Sequence, residues 1–339
     1  MKNANTKSRA SSVSKLRARL LKSWAAVIVL AASLLFIGLL TGCPNGSGPN
    51  RPNEPDQPPA KPVDPILKTD GHGKITGYKC AKEELPSHLV IPAKIGDEEI
   101  KEIGRYAFED CTGLTSVHLP ASLTKIGYCA FRGCTGLTSI SLPANLTTIG
   151  EYAFYSCTGL TSVHLPANLT EIGEAAFEGC TGLTSLTIDS ANAKYKTEGN
   201  ILYNKAGTTL IFAAGGLTSA NIPDTVTTIG VGAFASCTGL TSISLPANLT
   251  EIGKYAFYEC TGLTSIRLPA NLAQIGRGAF YGCEGLTSAV FADKNNWKVY
   301  DDEAHTQNET EINSSDLDNA ATAAKYLLET YADKYWKKN

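Results

Sequence analysis

The chain has 339 residues, of which 43% are hydrophobic and 18% are charged, so it can form a folded core and is not disordered throughout. The formal charge is −2, but residues 1–42 contain seven basic residues and no acidic ones. Without that segment, 23 basic and 32 acidic residues remain, a charge of −9. Such a surface repels phosphate backbones, which argues against nucleic-acid binding.

Residues 1–42 predict an export signal. Residues 1–22 are basic and serine-rich, and residues 24–40 form an apolar run of 17 residues without a charge. A basic region, an apolar region and small residues after it are typical of a secretory signal peptide. A helix of this length rises about 25 Å, at the short limit for a bilayer, so an uncleaved transmembrane anchor is the alternative.

The apolar run ends in Leu40-Thr41-Gly42-Cys43, which resembles the lipobox of bacterial lipoproteins. This resemblance implies cleavage before Cys43 and a diacylglycerol on its sulfur, so that Cys43 is the predicted lipidation site. Residues 43–65 follow as a spacer, in which positions 44–65 hold eight of the 16 prolines. Proline excludes helix and sheet, so we expect an extended segment that reaches about 70 Å.

A 23-residue motif fills residues 89–186 and 217–291. Leucines recur every 23 residues from Leu114 to Leu183 and again from Leu217 to Leu286, and A-F-x-x-C occurs seven times in phase. Each unit predicts a strand that ends at a proline, a second short strand that ends at a glycine, and one helical turn with Phe and Cys on the same side. Units of this kind bury their apolar groups only by stacking, which predicts a solenoid.

The stacked units predict a core in which equivalent side chains form ladders. The predicted core ladder consists of Phe108, Phe131, Phe154, Phe177, Phe234, Phe257, Phe280, Cys111, Cys134, Cys157, Cys180, Cys237, Cys260 and Cys283. A buried cysteine behaves as a small apolar residue, so we interpret these thiols as core rather than as a disulfide framework. Some disulfides, involving Cys80 or Cys129, are the alternative.

With its lipobox and proline-rich spacer, the repeat resembles the treponemal-type leucine-rich repeat of the BspA-like family of surface lipoproteins. The resemblance implies a right-handed leucine-rich-repeat-like coil of short β-strands and short helical turns. Residues 66–88 are the expected N-terminal β cap. Residues 187–216 depart from the motif and predict an irregular repeat with a β-hairpin around a glycine turn. Residues 292–339 predict a C-terminal cap with an amphipathic helix over 316–337, capped by Asp316, that presents Ala320, Ala324, Leu327, Leu328 and Tyr331.

No catalytic, cofactor or metal motif is present, so we expect neither an enzyme nor a cofactor. His118 and His164 share one repeat position two coils apart, about 10 Å, which is too far for shared zinc ligation. The residues that vary between units favour a binding surface. Its candidate residues are Tyr106, Tyr128, Tyr152, Tyr155, Tyr255, Tyr258 and Tyr281 beside the helical turns, and His118, His164 and Arg267 on the first strands.

Two interpretations of the tyrosines stay open: contact with a partner, or shielding of the Phe and Cys ladder. The favoured function is lipid-anchored adhesion at the bacterial surface, with the lipid in the outer membrane. The family resemblance implies host matrix or plasma proteins, such as fibronectin and fibrinogen, or other bacteria as partners. A periplasm-facing structural lipoprotein without a host ligand is the alternative. The oligomeric state does not follow from the sequence.

Overall fold

The structure is a computed structural model, and it describes residues 66–338. Each 23-residue unit forms one coil with two short strands. In the first strand, apolar side chains such as Val117 point inward while the neighbouring serine and histidine side chains point outward, and the following proline ends the strand. The first strands are β3 (His88–Val90), β7 (Ser116–His118), β9 (Ser139–Ser141), β11 (Ser162–Leu165), β13 (Ser185–Ile188), β17 (Ser219–Asn221), β19 (Ser242–Ser244), β21 (Ser265–Leu268) and β23 (Ser288–Phe291).

The second strand of each coil is only two residues long and ends at a glycine. Its isoleucine is buried, as at Ile126, and the residue before it is polar. A side chain at the following glycine would collide with the preceding coil, since a Cβ on Gly127 would lie 2.8 Å from the carbonyl oxygen of Ile103. The second strands are β6 (Glu102–Ile103), β8 (Lys125–Ile126), β10 (Thr148–Ile149), β12 (Glu171–Ile172), β18 (Thr228–Ile229), β20 (Glu251–Ile252) and β22 (Gln274–Ile275).

The coils stack in phase. First strands pair with first strands in parallel, with Val117 opposite Ile140, and second strands do the same, with Ile126 opposite Ile149. Every pairing advances by one 23-residue period, so side chains of the same kind lie above one another in the core. The predicted solenoid of short strands is confirmed.

The N-terminal cap is a β-structure, as predicted. An antiparallel pair opens the described chain, β1 (Leu67–Thr69) with β2 (Lys74–Tyr78), and β2 pairs in parallel with β6. A 3₁₀ turn (Lys82–Glu84) and a small antiparallel pair follow, β4 (Lys94–Ile95) with β5 (Glu98–Glu99). The cap therefore covers the first coil with paired backbone rather than with an open edge.

The irregular repeat contains the predicted hairpin and one further strand. Strands β14 (Tyr195–Glu198), β15 (Ile201–Asn204) and β16 (Thr209–Ala213) form an antiparallel meander, and β16 continues in parallel to β18. Strand β12 has no neighbour on its C-terminal side, where the hydroxyl of Tyr195 donates to the carbonyl of Thr170 instead. The buried amide of Asn192 holds the insertion to the preceding coil through three carbonyls, those of Pro166, Ala167 and Leu169.

The C-terminal cap has a helix, but a strand closes the sheet. Helix α1 (Ala320–Lys325) is much shorter than predicted, and Asn319 rather than Asp316 caps it by accepting from the N–H groups of Ala321 and Thr322. A π-helical turn (Tyr326–Thr330) follows, and a 3₁₀ turn (Asp316–Asp318) precedes the helix. The last strand, β26 (Tyr335–Lys338), pairs antiparallel with β22 and with β24 (Trp297–Tyr300), which pairs with β25 (Thr310–Glu311).

This strand replaces the end of the predicted helix because the last coil exposes an unpaired backbone edge. A strand satisfies those groups, whereas a helix leaves them unpaired. Of the helix residues predicted to face the core, Ala324 and Leu327 are buried and the others are half-buried. Residues 66–338 lie within one compact unit, with a core that runs between two caps, so this part contains what its fold requires.

Candidate binding surface

A turn segment connects the second strand of each coil to the first strand of the next. Along residues 104–111, alternate N–H groups donate to carbonyls three residues earlier, as in the predicted helical turn. The remaining N–H groups donate to the following coil: Tyr106 to Tyr128, Phe108 to Ala130 and Asp110 to Arg132. Tyr106 and Asp110 have φ of 58° and 55°, and these left-handed residues prevent a continuous helix. The segment is therefore a run of tight turns that exposes side chains on one side, here called the turn face.

Below the turn face lies the Phe and Cys ladder. The Phe131 and Phe154 rings stack with centroids 5.4 Å apart, and each regular neighbouring pair is similar. The Cys134 thiol donates to the Phe108 carbonyl of the preceding coil at 3.1 Å, and this bond recurs along the array. Burial raises the pKa of Cys237 to about 12. In the described part of the chain, all nine cysteines are free thiols.

The tyrosines of the first half form a continuous cluster on the turn face, here called the first tyrosine cluster. Tyr106, Tyr128, Tyr152 and Tyr155 contact one another edge to face, with centroids 5.3 to 5.9 Å apart. The guanidinium of Arg105 lies 4.8 Å from the Tyr106 ring and 4.5 Å from the Tyr128 ring. These contacts hold the rings in place, and Tyr106 remains 40% exposed.

The second half carries a smaller second tyrosine cluster. Tyr258 meets Tyr255 edge to face and stacks on Tyr281, with both centroid distances at 5.9 Å. Tyr255 and Tyr281 are 41% and 42% exposed. The turn face therefore presents two groups of ordered phenol rings, one on each side of the irregular repeat.

One position of the turn segment, directly after the buried phenylalanine, forms a column of side chains along the turn face. This turn-face column consists of Glu109, Arg132, Tyr155, Glu178, Ala235, Tyr258 and Tyr281. Arg132 pairs with Glu109 at 3.0 Å and lies 5.7 Å from the Tyr155 ring. Neighbouring members of the column thus interact through opposite charge and through cation–π contact.

The irregular repeat interrupts the turn face with a cleft. From Leu210 to Leu217 the chain takes seven steps, whereas the equivalent path from Ile103 to Leu114 takes 11, so four residues of the turn segment are missing. Phe212 stacks on Phe177 at 5.2 Å and forms the floor of the gap. The gap has a volume of about 290 Å³ and is lined by residues 172–178 on one side and by residues 230–233 and 235 on the other. We call it the seam cleft.

Charges from both halves converge at the seam cleft. Burial raises the pKa of Glu178 to about 7, and the charges of Glu259 and Glu174 raise it further in the same direction. Burial also raises the pKa of Tyr155, and so do the charges of Glu178 and Glu259. Because Glu259 belongs to the second half and Tyr155 to the first, the two tyrosine clusters approach each other across the cleft.

The first strands carry the remaining candidate residues, away from the tyrosines. His118, His164 and Arg267 are exposed on the first strands, and His164 Nδ1 lies 3.0 Å from Thr187 Oγ1. The structure does not bring these three residues together with either tyrosine cluster. Residues 66–338 contain no group of three or more potential metal ligands and no helix that is long and apolar enough to cross a membrane. Cys43 lies outside the described residues.

Sequence reasoning missed the seam cleft and Glu178. A signal was present, since the interval between Cys180 and Cys237 is 57 residues rather than a multiple of 23. Comparison of the repeat position shared by Glu109 and Glu178 would also have shown that only Glu109 is followed one period later by an arginine, Arg132. The roles of Arg105 and Arg132 beside the tyrosines became visible only in the structure.

Known proteins share both the repeat and the fold. The BspA type Leucine rich repeat region matches residues 87–204 and 209–323 in six copies. A leucine-rich repeat protein from Eubacterium ventriosum is 24% identical, with a TM-score of 0.53 and 66% of each chain covered. The pneumococcal vaccine antigen PcpA is 21% identical, with a TM-score of 0.52, 66% of this chain and 67% of that chain covered.

These structural similarities show the fold, and they leave about a third of each neighbour's chain unmatched. No curated protein matches the chain. The repeat match covers well over half of the sequence and coincides with the stacked coils described above. The chain therefore belongs to the BspA-type leucine-rich repeat family.

Proposed function

We propose that this protein is a non-enzymatic protein-binding protein of the bacterial cell surface, and that partners dock on its turn face. The observation that carries the proposal is the pair of tyrosine clusters, whose outermost rings are about 40% exposed. Tyrosine combines a large apolar area with a polar tip and is enriched in protein interfaces. Rings already held by their neighbours lose little entropy on binding, which favours affinity.

The proposed partners are host matrix or plasma proteins, such as fibronectin and fibrinogen, or other bacterial cells. In this proposal, a lipid on Cys43 anchors the chain in the outer membrane, and residues 43–65 hold the solenoid away from the bilayer. The repetitive surface of a solenoid supports such a role because several weak contacts in a row combine into strong attachment.

Binding to immobilised fibronectin and fibrinogen tests the partner. The protein comprises residues 59–339, and the variant replaces Tyr106, Tyr255 and Tyr281 by asparagine, which tolerates the left-handed backbone of the first two. We expect the variant to bind at least about tenfold more weakly, as for the loss of a central aromatic contact. The control replaces exposed serines of the first strands, Ser139, Ser162 and Ser265, by alanine. Equal binding by the tyrosine variant, or no binding by the parent protein, would contradict the proposal.

Protease treatment of intact cells tests the location. An externally displayed protein is lost from intact cells, whereas a periplasm-facing structural lipoprotein is degraded only after the outer membrane is opened. Replacement of Cys43 by serine should release the protein from the membrane fraction, since lipidation requires the thiol. Retention of that variant in the membrane would refute the lipid anchor and favour the apolar run as a spanning segment.

A further inference from the structure

The seam cleft exposes an incomplete backbone ladder. In each regular pair of coils, N–H groups of one turn segment donate to carbonyls of the next. Among the described residues, the N–H groups of Ala175 and Phe177 have no acceptor, since the four missing residues would have supplied it. On the opposite wall, the carbonyl of Ala233 accepts from the N–H of Ala213, but that of Val231 accepts no bond from the described chain. Donors and acceptors for a short stretch of peptide backbone therefore face each other.

The turn-face column shows what side chain this position takes elsewhere in the same protein. In the first half, Glu109 is followed by Arg132, which forms an ion pair with it and lies against Tyr155. Glu178 occupies the same repeat position as Glu109, but the coil that would provide the next side chain lacks its turn segment. Tyr258 then takes the place that Tyr155 has after Arg132. The sequence acid, base, aromatic is therefore complete in the first half and lacks its base at the cleft.

The carboxylate of Glu178 reaches across the cleft. A Cβ placed on Gly232, in the opposite wall, would lie 3.8 Å from Glu178 Oε2. Glu178 makes no ion pair with any residue that the structure describes, and the negative charges of Glu174 and Glu259 lie close enough to affect it. Val231, 45% exposed, adds an apolar contact at the mouth.

We propose that the seam cleft binds an extended segment of a partner protein that carries an arginine, with the guanidinium between Glu178 and Tyr258 and the backbone hydrogen-bonded to Ala175 and Phe177. The proposal rests on the proposed protein-binding function and specifies the chemistry of one contact within it. Arginine matches the site because its planar guanidinium binds a carboxylate through two hydrogen bonds and stacks on an aromatic ring. The main chain of the segment adds affinity in the manner of β-strand addition.

The test uses residues 59–339 and a blocked pentapeptide, acetyl-Gly-Ala-Arg-Ala-Gly-amide. A matched peptide with citrulline in place of arginine keeps the shape and removes the charge. NMR titration should shift the backbone amide resonances of Ala175 and Phe177, and the arginine peptide should bind at least about tenfold more tightly than the citrulline peptide. Equal affinity of the two peptides, or shifts confined to another part of the surface, would overturn the proposal.

Two variants separate the site from general surface charge. Glu178→Gln should weaken the arginine peptide at least about tenfold, whereas Glu109→Gln, at the same repeat position but already paired with Arg132, should leave the affinity unchanged. Ala235→Arg places a guanidinium of the chain itself at the next position of the column and should abolish peptide binding. Unaltered binding by Glu178→Gln or by Ala235→Arg would refute the assignment.

The same variants distinguish this inference from the proposed function. If the parent protein captures fibronectin or fibrinogen and Glu178→Gln captures it equally well, the protein-binding function stands and the cleft is not its arginine site. If the arginine peptide binds at the cleft as expected but neither host protein is captured, the cleft assignment stands and the choice of host partner is wrong.

Discussion

Glu178→Gln should remove a large part of the pH dependence of stability. The pKa of Glu178 is about 7 in the folded protein, against an ordinary value of 4.5, because the side chain is buried and faces other carboxylates. The folded state therefore holds this proton more tightly than the unfolded chain does. Its contribution to stability is fully present below pH 4.5 and is lost as the pH rises through 7.

The magnitude follows from the two pKa values of Glu178. Between pH 5 and pH 8, the wild-type protein should lose about 2.5 kcal/mol of unfolding free energy through this group alone. Glutamine cannot ionise, so the variant should lack that loss and gain about 2.5 kcal/mol over the wild type at pH 8 relative to pH 5. Urea denaturation at both pH values, followed by circular dichroism, measures the difference.

Two controls bear on the physical cause. Glu109→Gln, which breaks the ion pair with Arg132, should not gain stability at pH 8. Glu259→Gln removes a negative charge that raises the pKa of Glu178, so it should reduce the loss between pH 5 and pH 8 without abolishing it. Parallel stability curves for wild type and Glu178→Gln would show that the carboxyl is not buried at the cleft and would refute the reasoning.

Three further predictions test the stacking and the seam. Gly150→Ala should cost about 3 kcal/mol, because its Cβ would lie 2.7 Å from a backbone atom of the preceding coil, while Gly113→Ala, with open space around it, should change stability by less than about 1 kcal/mol in thermal unfolding. The amide of Phe177 should exchange with deuterium at least about 100-fold faster than that of Phe154, whose N–H donates to the next coil at 2.8 Å; equal rates would mean that the cleft is closed. Iodoacetamide should label Cys80, which is half-buried, well before the buried thiols of the repeat, and mass spectrometry of the native protein would show otherwise if the ladder opens readily.

The repeat made most of the fold predictable. A 23-residue period with leucine, isoleucine, phenylalanine and cysteine at fixed positions leaves stacking as the way to bury them, so strands at Val117 and Ile126 follow from the sequence. The hairpin at 201–213 was predictable for a related reason, since two apolar runs flank a glycine turn. The turn segment was less predictable, because tyrosine and aspartate adopt the left-handed conformation at positions 106 and 110.

The C-terminal helix shows where local pattern failed. The apolar spacing of residues 320–331 favours a long helix, but strand pairing between Trp336 and Ile275 satisfies an edge that local sequence does not reveal. The cap residue changed with it, from Asp316 to Asn319. Backbone groups exposed by the last coil thus decided how the chain ends.

The sequence by itself determined the period, the core ladders and the side on which the tyrosines lie, because identical units stacked in register must bury identical positions. Only the tertiary structure decided that four missing residues open a cleft, that Glu178 lies in its wall without a cation, and that Tyr155 and Glu259 approach from opposite halves. These features depend on distances between coils on either side of the insertion. Such distances arise when the backbone ladders close in space, and no local pattern encodes them.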